Sequence, residues 1–63
     1  MNLLQELRKQ NGLTQMDVEE ATGIDTATLS LYENGVRYPT VKNAQKLGDL
    51  YKVAWSKFYE EEL

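Results

Sequence analysis

The chain has 63 residues, 41% of them hydrophobic and 27% charged, and it contains no cysteine and no histidine. This composition indicates one small globular domain with a modest core, and the lack of cysteine excludes disulfides and thiolate metal sites. The net charge of −3 argues against a general nucleic-acid binder, but three of the ten acids are the adjacent Glu60, Glu61 and Glu62. The remaining seven acids balance the seven bases.

The spacing of apolar residues predicts five short helices and no strand. The first helix covers residues 3–11, the second ends at Gly23, and the third leads into a turn at Asn34 and Gly35. Short polar side chains satisfy the free N–H groups at helix starts, and three residues are placed to do so here. The predicted N-caps of helices two, three and four are Thr14, Asp25 and Thr40.

Helix four carries apolar residues at helical spacing, and a last helix from about residue 54 carries three aromatic residues. We expect these aromatic side chains to lie in the core over helices one and four, with part of one at a dimer contact. Gly48 inside helix four costs about 1 kcal/mol against alanine unless another backbone lies close to it. The predicted inward positions are Leu29 and Tyr32 in helix three, Val41, Ala44, Leu47 and Leu50 in helix four, and Trp55, Phe58 and Tyr59 in the last helix.

A helix-turn-helix pattern lies in the middle of the chain, where Gly23 separates two short helices by a turn of three or four residues. In such a unit the second helix can lie in a DNA major groove. Residues 12–40, GLTQMDVEEATGIDTATLSLYENGVRYPT, also resemble the Cro and phage-repressor helix-turn-helix family, known too as the xenobiotic-response-element regulators. The LTQ opening, the TGI turn, the YENG exit and the basic residue and proline that follow carry the resemblance. It implies a compact, all-α, five-helix lambda-repressor-like domain over residues 1–63, with the helix-turn-helix unit at about residues 15–34.

The resemblance also implies a function. It predicts a sequence-specific regulator that binds double-stranded DNA as a homodimer, in particular a small phage or mobile-element repressor that acts by occupying an operator. An alternative is a protein-interaction module, such as an antitoxin or an adaptor, that keeps the fold but binds another protein. The absence of charged side chains on the outer face of helix three favours this alternative.

Other functions are not expected. The chain lacks histidine, cysteine and a glycine-rich phosphate loop, so we expect no enzyme activity, and no metal, cofactor or small-molecule ligand. A membrane-spanning helix needs about 20 consecutive apolar residues, and no apolar run in the sequence approaches this length. The N-terminal segment does not have the pattern of a signal peptide. The expected location is therefore the cytoplasm, for a bacterial or phage-encoded protein without a membrane partner.

Helix three is the predicted recognition helix, and its outward residues are the candidates for reading bases. The family commonly has Gln, Arg or Lys at the positions that match Thr26, Ala27 and Leu31, where this chain has small hydroxyl or apolar groups. Such groups suit thymine methyls and hydroxyl bonds to base edges. Leu31 has two alternatives: no role, or a contact with a protein partner. For Gln15, at the start of helix two, the resemblance implies contact with a phosphate or with the outermost base, and the alternative is an ordinary exposed glutamine. The predicted base-reading residues are Gln15, Thr26, Ala27, Ser30 and Leu31.

Phosphate contacts are expected beside the recognition helix. The free N–H groups at the starts of helices two and four would face phosphates, as helix N-termini do with anions. For Arg37 and Lys42 the alternative is an ordinary solvated charge, and for Asn34 it is support of the turn into Gly35. The predicted phosphate-contacting residues are Thr28, Asn34, Arg37 and Lys42.

Four charged residues are expected to have mainly structural roles. Where family members have an Arg and a Glu at the positions of Arg8 and Glu33, the two pair across helices one and three, so we predict a partly buried ion pair here. Asp25 is interpreted as an N-cap, with acceptance from a cytosine amino group as the alternative. Glu19 stands where the family usually has alanine, and it must reach solvent or find a cation.

Overall fold

The computed structural model describes residues 2–60, which form four α-helices and one 3-10 helix and contain no strand. The all-helical prediction is therefore confirmed, but the count of five α-helices is not. The left-handed Lys52 ends α4 after Tyr51, and the five-residue element that follows is a 3-10 helix, a type of helix found in short pieces. Glu61 and Glu62 of the acidic run lie outside the described residues. The elements are α1 (Leu3–Gln10), α2 (Gln15–Thr22), α3 (Thr26–Glu33), α4 (Val41–Tyr51) and the 3-10 helix (Trp55–Tyr59).

Each α-helix begins at a polar N-cap whose side chain accepts a hydrogen bond from the backbone three residues later. The caps are Asn2, Thr14, Asp25 and Thr40, so the three caps predicted from the sequence are confirmed. At α2 the bonds are reciprocal: Asp17 N–H donates to Thr14 Oγ1 at 3.0 Å, and Thr14 N–H donates to Asp17 Oδ2 at 2.9 Å. Such a capping box satisfies two N–H groups that have no partner within the helix.

The core lies between the four α-helices and the 3-10 helix. Five of the nine predicted inward positions are buried, Leu50 is partly buried, and three are exposed. Val41 is 53% exposed because it begins α4, and Trp55 and Tyr59 are each 37% exposed because only Phe58 of the 3-10 helix faces the core. The buried hydrophobic residues are Leu4, Val18, Ile24, Leu29, Tyr32, Ala44, Leu47, Tyr51 and Phe58.

Gly48 is explained by the segment that follows α4. A Cβ atom at this position would lie 2.8 Å from the backbone oxygen of Val53 and 3.1 Å from the Cβ of Trp55. The chain turns back at Lys52, whose φ is 61°, and so brings the start of the 3-10 helix against α4. The close backbone approach that would justify a glycine in mid-helix is therefore present.

Tyr32 of α3 accepts hydrogen bonds both at its backbone oxygen and at its side-chain hydroxyl. Its backbone oxygen accepts from Asn2 Nδ2, and its hydroxyl accepts from Asn43 Nδ2 at 2.9 Å. Because Asn2 caps α1 and Asn43 lies on α4, these bonds connect α3 to both neighbours. Within residues 2–60, no helix is long and apolar enough to cross a membrane.

Candidate nucleic-acid interface

Helices α2 and α3 form a helix-turn-helix unit with a short, ordered turn at residues 23–25. Gly23 ends α2 in the left-handed conformation with φ 79°, which costs glycine little. The Thr22 hydroxyl donates to the Val18 carbonyl at 2.7 Å and accepts from Ile24 N–H at 3.2 Å. Val18 and Ile24 are buried, so the turn is anchored in the core.

The two faces of α3 differ sharply in burial. Leu29, Tyr32 and Glu33 are buried, whereas the opposite face keeps exposed surface on the four α3 residues predicted to read bases. Helical spacing of four and then three residues places Ala27, Leu31 and Asn34 along the middle of that face. The α3 residues that keep exposed surface there are Thr26, Ala27, Thr28, Ser30 and Leu31.

Some of the predicted contact residues already have partners within the protein. The Thr28 hydroxyl donates to Asp25 Oδ1 at 2.6 Å, and Thr28 N–H donates to Asp25 Oδ2 at 3.3 Å. A hydroxyl has one proton, so Thr28 has none left for a phosphate while this bond holds, and the geometry opposes the predicted phosphate contact. Asn34 Nδ2 donates to Ser30 Oγ at 3.2 Å, which joins a predicted phosphate contact to a predicted base reader.

Asp25 acts as a cap in this structure. The hydrogen bonds from the Thr28 hydroxyl and backbone hold the pKa of the Asp25 carboxyl below its usual value, so the group is ionised at neutral pH. Both of its oxygens accept from Thr28, in agreement with the cap interpretation made from the sequence. The start of α3 therefore carries a fixed negative charge.

An ion pair between Arg8 and Glu33 joins α1 to α3. Arg8 Nε and Nη2 donate to the two oxygens of Glu33 at 2.8 and 3.0 Å, and Nη1 donates to the Leu13 carbonyl at 2.9 Å. The side chain of Glu33 is only 3% exposed. The hydrogen bonds to Glu33 raise the pKa of Arg8, and burial together with the Glu33 charge raises the pKa of Tyr51 to about 12. The guanidinium of Arg8 therefore stays protonated throughout the physiological pH range.

Gln15, predicted to contact DNA, also touches this pair. Its Nε2 donates to Glu33 Oε1 at 3.3 Å, and its side chain is partly buried. One carboxylate thus holds groups from α1 and from α2. The sequence did not reveal this contact, because the two residues are 18 positions apart and no motif links them. Glu33 therefore helps to orient Gln15 at the start of α2.

The starts of the helices differ in charge. Asp17 and Asp25 place carboxylates at the starts of α2 and α3, whereas α4 has the neutral cap Thr40 and no acid in its first turn. Arg37 and Lys42 are both exposed near this end of α4. A positive helix end beside two cations suits a phosphate, so α4 is better suited than α2 to this role.

Three aromatic rings, one from the loop before α4 and two from the 3-10 helix, form an exposed cluster. Tyr59 lies between Tyr38 and Trp55, with ring centroids 6.0 Å apart in each case, and its hydroxyl donates to the Pro39 carbonyl at 2.7 Å. Tyr38 is 44% exposed. The sequence did not predict the contact between Tyr38 and Tyr59, because Tyr38 lies in the loop before α4 and is part of no helical pattern of apolar residues. We call Tyr38, Trp55 and Tyr59 the aromatic cluster.

Comparisons with known proteins agree with this geometry. A family model described as helix-turn-helix matches residues 4–58. The chain is also similar to the protein named "Uncharacterized HTH-type transcriptional regulator YqaF" of Bacillus subtilis (strain 168), with 34% identity over 58 residues that cover 92% of this chain and 76% of that protein. No solved structure matches the chain.

Proposed function

The chain belongs to the helix-turn-helix family of Cro and phage-repressor type, and on that basis we propose that it is a repressor that recognises a specific double-stranded DNA sequence. Proteins of this family are regulators and not enzymes, in agreement with the absence of catalytic groups in the sequence. The proposed repressor is of the small phage or mobile-element kind and acts in the cytoplasm as a homodimer that occupies an operator.

The observation that carries the proposal is the division of α3 into a buried face and an uncharged outer face. An outer face of Ala27, Ser30, Leu31 and Thr26 offers methyl groups for thymine and hydroxyls for base edges. Arg37, Lys42 and the start of α4 would supply phosphate contacts. Few phosphates are then neutralised, so the affinity should depend only weakly on salt.

A homodimer would place two copies of α3 in successive major grooves about one helical turn apart. The aromatic cluster supports this part of the proposal, because it is apolar, exposed and held in place by the Tyr59 hydroxyl. Exposed apolar patches are typical of surfaces that meet another protein.

The test is selection from a random duplex pool at low salt, followed by titration of the selected duplexes across salt concentrations. Enrichment of a two-fold-symmetric site with a shallow salt slope is expected. If the folded protein enriches no sequence, the alternative of a protein-interaction module replaces the proposal. That alternative is favoured by the same neutral outer face of α3.

Arg37→Ala should weaken binding to all duplexes alike, by about fivefold, because Arg37 is proposed to touch phosphate and not bases. The slope of log K against log salt should become less steep by about one. The control is Lys52→Ala, which removes the same charge at the opposite end of α4. Equal losses in the two variants, measured by fluorescence anisotropy, would show that net charge and not a phosphate contact is responsible.

Leu31→Ala should change the sequence preference instead. If Leu31 contacts a thymine methyl, replacing that thymine by uracil should weaken DNA binding by the unmodified protein about threefold to fivefold. This factor corresponds to the free energy of burying one methyl group. The Leu31→Ala variant should bind both duplexes equally. Scanning uracil through the selected site locates the contact, and a scan in which the two proteins respond identically at every position argues against it.

A further inference from the structure

Glu19 connects the two helices of the helix-turn-helix unit. Its side chain leaves α2, crosses the turn and accepts a hydrogen bond from Thr26 N–H at 3.0 Å. Thr26 is the first residue of α3, and its N–H is one of those that have no partner within a helix. The sequence predicted that Glu19 must reach solvent or a cation; it is exposed, and its partner is this backbone N–H group.

Two carboxylates therefore hold the start of the recognition helix. Glu19 accepts a hydrogen bond from Thr26 N–H, and Asp25 accepts hydrogen bonds from the N–H and the hydroxyl of Thr28. A helix start carries roughly half a positive charge, so two carboxylates leave this end negative. A DNA phosphate cannot accept hydrogen bonds from N–H groups that already donate to these carboxylates, and the two negative charges repel it.

We propose that Glu19 is a positioning and selectivity residue: its hydrogen bond determines where the recognition helix begins relative to α2, and its charge disfavours DNA that does not fit. This inference rests on the proposed DNA-binding function. Specificity is a difference of affinities, and a repulsive group increases it when only the correct sequence supplies contacts that outweigh the repulsion. Here those contacts come from the outer face of α3, which begins at Thr26.

The hydrogen bond and the charge are separable by mutation. Glu19→Gln keeps a side-chain oxygen that can accept from Thr26 N–H but removes the charge, whereas Glu19→Ala removes both. Glu20→Gln is the matched control, because it removes the same charge from the adjacent exposed residue of α2. Dissociation constants are measured for the selected duplex and for a duplex with one substituted base pair, at a temperature where all variants are folded.

Glu19→Gln should bind both duplexes tighter, and the mismatched duplex by the larger factor, about fivefold. Glu19→Ala should lower the preference for the selected duplex further, by about tenfold in total, because the start of α3 is no longer held. Glu20→Gln should stay within about twofold of the unmodified protein. Unchanged preference in both Glu19 variants, or equal effects of Glu19→Gln and Glu20→Gln, would overturn the proposal.

A second measurement does not depend on DNA. The Thr26 amide proton should exchange with solvent more slowly in the unmodified protein and in Glu20→Gln than in Glu19→Ala, as followed by NMR, because the Glu19 carboxylate bonds it. If the protein selects no duplex, the proposed function fails while this exchange rate still tests the positioning role. If the amide does not respond to Glu19, the positioning role fails whatever the DNA results are.

Discussion

Arg8→Met is expected to lower the free energy of unfolding by about 3–5 kcal/mol, the usual cost of removing one partner of a buried ion pair. Glu33, 3% exposed, would lose its cationic partner, and the Leu13 carbonyl would lose its donor. A chain of this length has a total stability of roughly 3–9 kcal/mol. The loss is therefore a large fraction of the total stability, and the midpoint of urea denaturation, followed by circular dichroism, should fall clearly below that of the unmodified protein.

The double variant Arg8→Met, Glu33→Leu is the control for this prediction. It removes both charges, so no unpaired carboxylate remains in the core, and apolar replacements of buried ion pairs are often neutral or stabilising. We expect it to recover most of the lost stability. A single variant that unfolds at the same urea concentration as the unmodified protein would show that the pair contributes little.

Gly48→Ala is expected to lower the free energy of unfolding by about 1–3 kcal/mol, as overpacked substitutions do. Helix propensity alone predicts the opposite, a gain of about 1 kcal/mol. The new Cβ would lie 2.8 Å from the carbonyl oxygen of Val53, which is backbone and cannot rotate away. The same urea measurement decides the sign of the effect.

Asp49→Ala is a suitable control for Gly48→Ala, because Asp49 is the exposed neighbour on α4. The stability should change by less than about 0.5 kcal/mol, as is usual for surface positions. If Gly48→Ala instead raises the stability, the 3-10 helix can move away from α4 at little cost.

Local chemistry made much of the fold predictable. An N-cap and the N–H that it bonds are three residues apart, so Thr14, Asp25 and Thr40 could be identified without knowledge of the tertiary structure. The same holds for Leu29 and Tyr32, whose helical spacing already places them on one face. Predictions of this kind depend only on the geometry of a single helix.

Contacts between elements were less predictable. The need for glycine at position 48 comes from Val53, which lies beyond a left-handed residue whose effect on the chain direction no pattern reveals. Tyr59 was assigned to the core from its spacing, but the last element is 3-10, so its side chains point in different directions from those of an α-helix. Its contact with Tyr38 joins two segments 21 positions apart.

For the candidate interface, the sequence predicted which residues lie on the outer face of α3 but not what their polar groups do. Thr28 and Asn34 are on the predicted side, yet both bond to neighbours within the protein. These bonds depend on side-chain rotamers, which spacing along the chain does not determine. Glu19 was identified as a departure from the family, and only the tertiary structure identified its partner.

The two faces of α3 differ in how freely their residues can be replaced during evolution. Leu29, Tyr32 and Glu33 are held by the core and the ion pair, so their replacement is limited by folding. Ala27 lies on the opposite face and is exposed, so folding does not limit its replacement, and under the proposed function the target DNA sequence does. Under the same proposal, descendants of this gene can acquire new target sites by changes at the outer face while they inherit the same fold.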